Sequence, residues 1–175
     1  MSSKTKFLAQ YGHTDHVTKI VNENPHWDDA FHIIDKSHSV TSEHISSLMN
    51  HKSSEVRRRA LSHKCVTAEH VSRAIHDDEN SVRAEAAIHR KGTSQTIHKA
   101  LDDECERVRW HGLENPNAQS DHVERGMKDD NHYVRFAAAC SKGATKEQLG
   151  RMIEDPRNSV GNIRGRAKER LEETK

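Results

Sequence analysis

Apolar residues return along this chain at an interval of 26. Val56-Arg57, Val82-Arg83, Val108-Arg109 and Val134-Arg135 stand at that interval, and Val160 keeps it once more. Between these pairs lies a second apolar set with spacing i, i+3 and i+4. Its first column is Ile45, Val71, Ile97, Val123 and Leu149; its second Leu48, Ala74, Ala100, Gly126 and Met152; its third Met49, Ile75, Leu101, Met127 and Ile153. Such spacing gathers one apolar stripe on one side of a helix. Each interval therefore predicts a helix A that opens on the valine and a helix B that carries the stripe.

The punctuation agrees with two helices per interval. Helix A breaks at Gly92, Pro116 or Gly143, and the chain restarts at Thr41, Thr67, Thr93 or Thr145. Threonine is a helix N-cap, and Thr145 with Gln148 has the spacing of a capping box. Ala60, Ala86, Gly112 and Ala138 form a column of small residues on helix A, which would let neighbouring helices approach closely. Segments this short do not hold a helix alone, so stacking must supply the stability.

Residues 56–81, 82–107, 108–133 and 134–159 align without a gap, and 30–55 aligns in front with weaker matches. The expected fold is all-α: a right-handed α-solenoid in one domain, residues 1–175. Five two-helix repeats over 30–159 follow a degenerate unit at 1–29, and a capping helix closes the chain at 160–175. Phe7, Leu8, Phe31, Ile33 and Ile34 are expected to close the amino-terminal end, and the charged tail the other.

Composition supports an array over a single core. Only 32% of the 175 residues are apolar and the mean hydropathy is −0.99, which is poor material for one compact interior. A net charge of +1 supplies no global field toward nucleic acid or a membrane surface. No apolar run has the length of a membrane span. Cys65, Cys105 and Cys140 are odd in number, share no repeat position and form no CxxC, which suits a reduced, cytoplasmic setting.

Asp77, Asp103 and Asp129 each precede an arginine, Arg83, Arg109 and Arg135, by six residues. This spacing resembles the Asp and Arg ladder of HEAT repeats. The run D-x(4)-V-R-x-x-A, continued as Asn115-Pro116, resembles the leucine-rich repeat variant (LRV) family, whose units are similarly short. The likeness covers about residues 30–160 and implies a helical-repeat fold; proteins of these families bind proteins, nucleic acids or cofactors. An amino-terminal cysteine cluster that holds an iron-sulfur centre in the LRV prototype has no counterpart before Cys65, so no cofactor is carried over. His51 stands in place of a ladder aspartate and Gly161 in place of an arginine, so the ladder is expected to fail at both ends.

Three columns invite a functional reading. Lys19, Arg73, Lys99, Arg125 and Arg151 share one helix B position, an alternative phosphate-binding rail. One turn earlier stand Asp15, Glu43, Glu69, Asp121 and Glu147, with Gln95 before Lys99. Acid four residues before base is the favoured intrahelical order, so these cations are expected to be neutralised within their own helices, Lys99 excepted.

Histidine is abundant, at 15 residues, and His16, His44, His70 and His122 occupy the third position of helix B. Neighbouring helices pack about 8–10 Å apart, too far for one column to chelate one zinc ion. No metal is therefore expected, and the role predicted for these rings is to reach back to the cap. Protonating them all would carry the net charge from +1 to +16, so stability should fall as pH drops through the histidine range.

The third column is aromatic. Trp110 and Phe136 share a helix A position directed away from the valines, with Ile88 beside them and Tyr133 in the preceding turn. Aromatic groups of this kind anchor partners. No nucleophile, phosphate loop or catalytic acid pair emerges, and the paired acids fall in turns. The reading is a non-catalytic interaction module that docks a protein partner through Trp110, Phe136, Tyr133 and Ile88, with nucleic-acid binding as the alternative. The same edge would serve equally to join two copies of the chain.

Overall fold

The computed structural model describes residues 40–173. The unit at 1–29, Lys19 of the basic column, and Phe7, Leu8, Phe31, Ile33 and Ile34 lie outside them. Among the described residues the chain is all-α, with ten α-helices and no strand. No helix there is long and apolar enough to cross a membrane.

Helices α1 (Ser42–Leu48), α3 (Ala68–Ala74), α5 (Ser94–Leu101), α7 (Ser120–Gly126) and α9 (Lys146–Glu154) occupy the B positions. Helices α2 (Ser54–Ala60), α4 (Asn80–Ile88), α6 (Glu106–Glu114) and α8 (His132–Cys140) alternate with them as A. A 3-10 turn, Pro156–Ser159, leads into α10 (Ile163–Glu173) through Gly161 and Asn162, both at positive φ.

The chain divides into two compact units, residues 1–70 and 71–175. In the first, α1 packs against α2. Ile45, Leu48, Val56, Ala60 and Leu61 are buried, and the Cys65 thiol donates to the Val40 carbonyl at 3.1 Å.

In the second unit α4 packs on α6, α6 on α8, and α8 on α10. Helix α5 packs on α7, and the contacts α5 to α6, α7 to α8 and α9 to α10 join the two sets. The valine column and the first stripe column form the core: Val82, Val108, Val134, Ile97, Val123 and Leu149 are completely buried. Close approach depends on glycine, because a Cβ on Gly112 would lie 3.0 Å from that of Ala100, and one on Gly126 would lie 2.5 Å from Leu113 Cδ1.

Helix ends are satisfied by side chains from further along. Asn115 Nδ2 donates to Ala87 O at 2.6 Å and His89 O at 3.0 Å, closing the end of α4. Arg170 does the same for α8, its Nη1 donating to Cys140 O at 2.6 Å and Ser141 O at 3.0 Å. The carboxy-terminal helix is thus more than a polar cover, since Ile163 and Ala167 enter the core beneath it.

Gly143 sits where any side chain meets backbone. Its Cβ would lie 2.5 Å from Ala118 O and 2.7 Å from the carbonyl carbon of Gln119, neither of which can rotate away. Gly143→Ala should lower stability by about 2 kcal/mol in urea denaturation; an unchanged midpoint would show that the loop shifts freely.

Candidate functional site

The arginine ladder exists, but its partners differ from the expected ones. Arg83 binds Asp103, with Nε to Oδ2 at 2.6 Å and Nη2 to Oδ1 at 2.9 Å, while its Nη1 donates to the Asp77 and Asp78 carbonyls. Arg109 repeats this with Asp129, at 2.8 and 3.1 Å, and with the Asp103 and Glu104 carbonyls. Each guanidinium therefore clasps the backbone of its own turn and the carboxylate of the next. The aspartate six residues before is turned away, because its Oδ1 accepts the N–H two residues on: Glu79 for Asp77, Cys105 for Asp103, Asn131 for Asp129. Burial works to raise the Asp103 pKa, but the Arg83 bonds and the Cys105 N–H outweigh it and hold the carboxyl below its usual range.

The ends are patched. His51 Nδ1 accepts the Ser53 N–H at 3.0 Å, as an aspartate would, and Arg57 still clasps the His51 and Lys52 carbonyls. Buried Arg135 finds Asn158 Oδ1 at 2.9 Å and Arg157 O at 3.0 Å in the 3-10 turn. These bonds account for the whole arginine column structurally.

Two members of the basic column are neutralised, though not within their own helices. Arg125 pairs with Asp102, which caps the end of the preceding helix B, and Arg151 with Glu124 of the preceding helix B. The Arg151 bonds, with lesser help from Lys128 and Gln148, hold Glu124 at about 2. Asp121, the expected partner of Arg125, instead lies 3.1 Å from His98 Nε2 and 3.3 Å from His122 Nδ1. Desolvation works to raise the Asp121 pKa, but first-turn backbone N–H groups and the neighbouring His122 and His98 together outweigh it and lower the carboxyl. That is the competition that the intrahelical pair loses. Lys99 makes no ion pair among the described residues, and it lines a groove with Ser72, Ile75, His76, Gln95, Thr96, His98 and Asp102.

The third position of helix B closes each cap. His44, His70 and His122 accept the N-cap backbone N–H on Nδ1 at 3.0, 3.0 and 2.9 Å, and Thr96 and Gln148 do so with side-chain oxygens at 3.2 and 3.0 Å. A backbone N–H can only donate, so each ring holds a lone pair on Nδ1. The far nitrogen serves the preceding helix B: His122 Nε2 meets Ser94 O at 3.3 Å, and Gln148 Nε2 meets Ser120 O at 2.7 Å. His122 is completely buried, and chiefly for that reason its pKa is lowered.

The aromatic edge is present in altered form. Trp110 and Tyr133 are exposed and stack across α6 and α8, ring centroids 6.3 Å apart at 11°. His111 and His132 extend the row at either end. Phe136 leaves it, being half-buried and packed on the core cluster beside the small residues Ala137, Ala138 and Ala139; Ile88 is likewise half-buried. Position alone could not separate Trp110 from Phe136, because the difference lies in what packs beneath each ring.

Among the described residues the fold is all-helical, most members of the polar columns join one helix to the next, and Trp110 and Tyr133 form an exposed aromatic edge. Comparison with known protein families, curated proteins and solved structures gives no match.

Proposed function

We propose that this chain is a non-catalytic interaction module, a right-handed solenoid of HEAT- or LRV-like helical pairs that docks a protein partner on the edge formed by Trp110 and Tyr133. The stacked pair carries the reading. Among the described residues only Trp110, Tyr133 and Val160 are large apolar side chains left exposed, and two of the three stand face to face. Rigid aromatic groups of this kind contribute most of the energy at protein interfaces. Phe136 and Ile88 then act as the floor of the patch.

Other candidates are spoken for. Among the described residues Asp77, Asp102, Asp103 and Asp129, one acid of each turn pair or both, serve turn N–H groups or arginines. Phosphate-backbone binding loses support because Arg125 and Arg151 already hold carboxylates. Free Cys65, Cys105 and Cys140 suit a reducing compartment such as the cytoplasm.

A photoreactive phenylalanine analogue at position 133 tests this in lysate of the source cells. A discrete heavier adduct is expected from position 133, absent from an analogue at position 99 and lost on Trp110→Ser. An adduct at twice the chain mass would identify the partner as a second copy. Equal labelling from both positions, or none, would remove the edge from consideration.

A further inference from the structure

Where α5 meets α7, three groups from two helices converge on one point: His98, Asp121 and His122, whose donor atoms all lie within 4.8 Å of one another. Asp121 reaches both rings, Oδ2 3.1 Å from His98 Nε2 and Oδ1 3.3 Å from His122 Nδ1. The ring centroids are 4.4 Å apart. Spacing in the sequence hides this group, because His98 belongs to no histidine column.

The contact between His122 and Asp121 is not a hydrogen bond. The Gln119 N–H at 2.9 Å requires a lone pair on Nδ1, and the carboxylate offers only lone pairs in return. Two acceptors therefore face each other at 3.3 Å with no proton to bridge them. A cation bound between them relieves that arrangement.

We propose that His98, Asp121 and His122 form a binding site for a borderline divalent cation, specifically zinc, which staples α5 to α7. Four considerations support it. Ligands about 2.0–2.1 Å from a tetrahedral zinc lie about 3.3 Å from one another; the separations of Asp121 from the two rings, through its two carboxylate oxygens, are near that value, and the three donors all lie within 4.8 Å. Two imidazoles select zinc over magnesium or calcium, which take oxygen ligands. The remaining coordination position faces solvent past half-exposed His98 and exposed Asp121 and is completed by water. A zinc-bound histidine ordinarily donates its other N–H to a backbone carbonyl or carboxylate, and His122 Nε2 already meets Ser94 O at 3.3 Å. Binding displaces the Gln119 amide from Nδ1, so the ion replaces that cap hydrogen bond.

The test is calorimetric titration of the untagged full chain with zinc sulfate, followed by cobalt(II) as a visible-absorption probe of coordination. Wild type should bind about one ion with cobalt bands of low-symmetry four-coordination. His98→Ala and His122→Gln should each weaken binding at least about tenfold, a loss of about 1.4 kcal/mol. His122→Gln is the informative variant because glutamine, as at position 148, keeps the cap and the fold. Circular dichroism confirms folding of both, and His98 lies at the surface, so its loss leaves the core intact. Equal zinc affinity in wild type and both variants, or no binding by wild type at sub-millimolar zinc, would overturn the site and leave an ordinary His98–Asp121 contact.

Discussion

Arg109→Ala should lower the stability of the chain by about 3 kcal/mol, measured by urea denaturation at neutral pH. Four hydrogen bonds are lost at once, two of them to the Asp129 carboxylate and two to the Asp103 and Glu104 carbonyls. The pair is only slightly exposed, 19% and 13%, so water poorly replaces the missing guanidinium. A double-mutant cycle locates the partner. Arg109 and Asp129 should couple by about 1–2 kcal/mol, whereas Arg109 and Asp103 should be nearly additive, because Asp103 offers Arg109 a backbone oxygen that substitution leaves in place. Coupling to Asp103 in preference to Asp129 would restore the in-turn pairing suggested by spacing and remove the cross-link between successive turns.

His122 is the second large effect. His122→Ala opens a cavity at a completely buried position and removes the bridge to Ser94, and should cost about 3 kcal/mol. His122→Gln should stay within about 1 kcal/mol of wild type near pH 8, because Gln148 performs both tasks with its amide. Acid separates the two proteins. Burial, aided by the neighbouring His98, outweighs the pull of Asp121 and Ser94 and lowers the His122 pKa from about 6.5. The unfolded chain therefore takes up a proton before the folded one does. The stabilisation from this group is complete above about pH 6.5 and is lost as pH falls toward the lowered folded value. Measured with chelator present, wild type should lose ground to His122→Gln between about pH 8 and pH 5. Parallel curves would show that this ring does not carry the acid sensitivity.

Much of the architecture was legible from residues alone. The i, i+3, i+4 stripe located every helix B among the described residues, and a threonine marked the start of each but α7, where Gln119 takes its place, because a helix start needs both an apolar face and a capping acceptor. The third-position histidines were legible as caps for the same local reason. Charge partners were legible only in part. Aspartate and arginine six apart share a turn, and acid and base four apart share a helix face, yet in both cases the observed partner comes from the neighbouring repeat. Local backbone N–H groups had already claimed Asp103, Asp129 and Asp121. The group of His98 with Asp121 and His122 was not legible at all, since it joins separate helices through an off-column residue.

The interval of 26 residues determined by itself that the described residues fold as alternating short helices, each helix A starting two residues before its valine, because capping and apolar periodicity act over a few residues. Tertiary structure alone decided which carboxylate each arginine holds, which aromatic ring stays in water and which histidines face one another. Those outcomes depend on distances between helices, set by residues as small as Gly112 and Gly126, and no spacing along one strand of sequence encodes them.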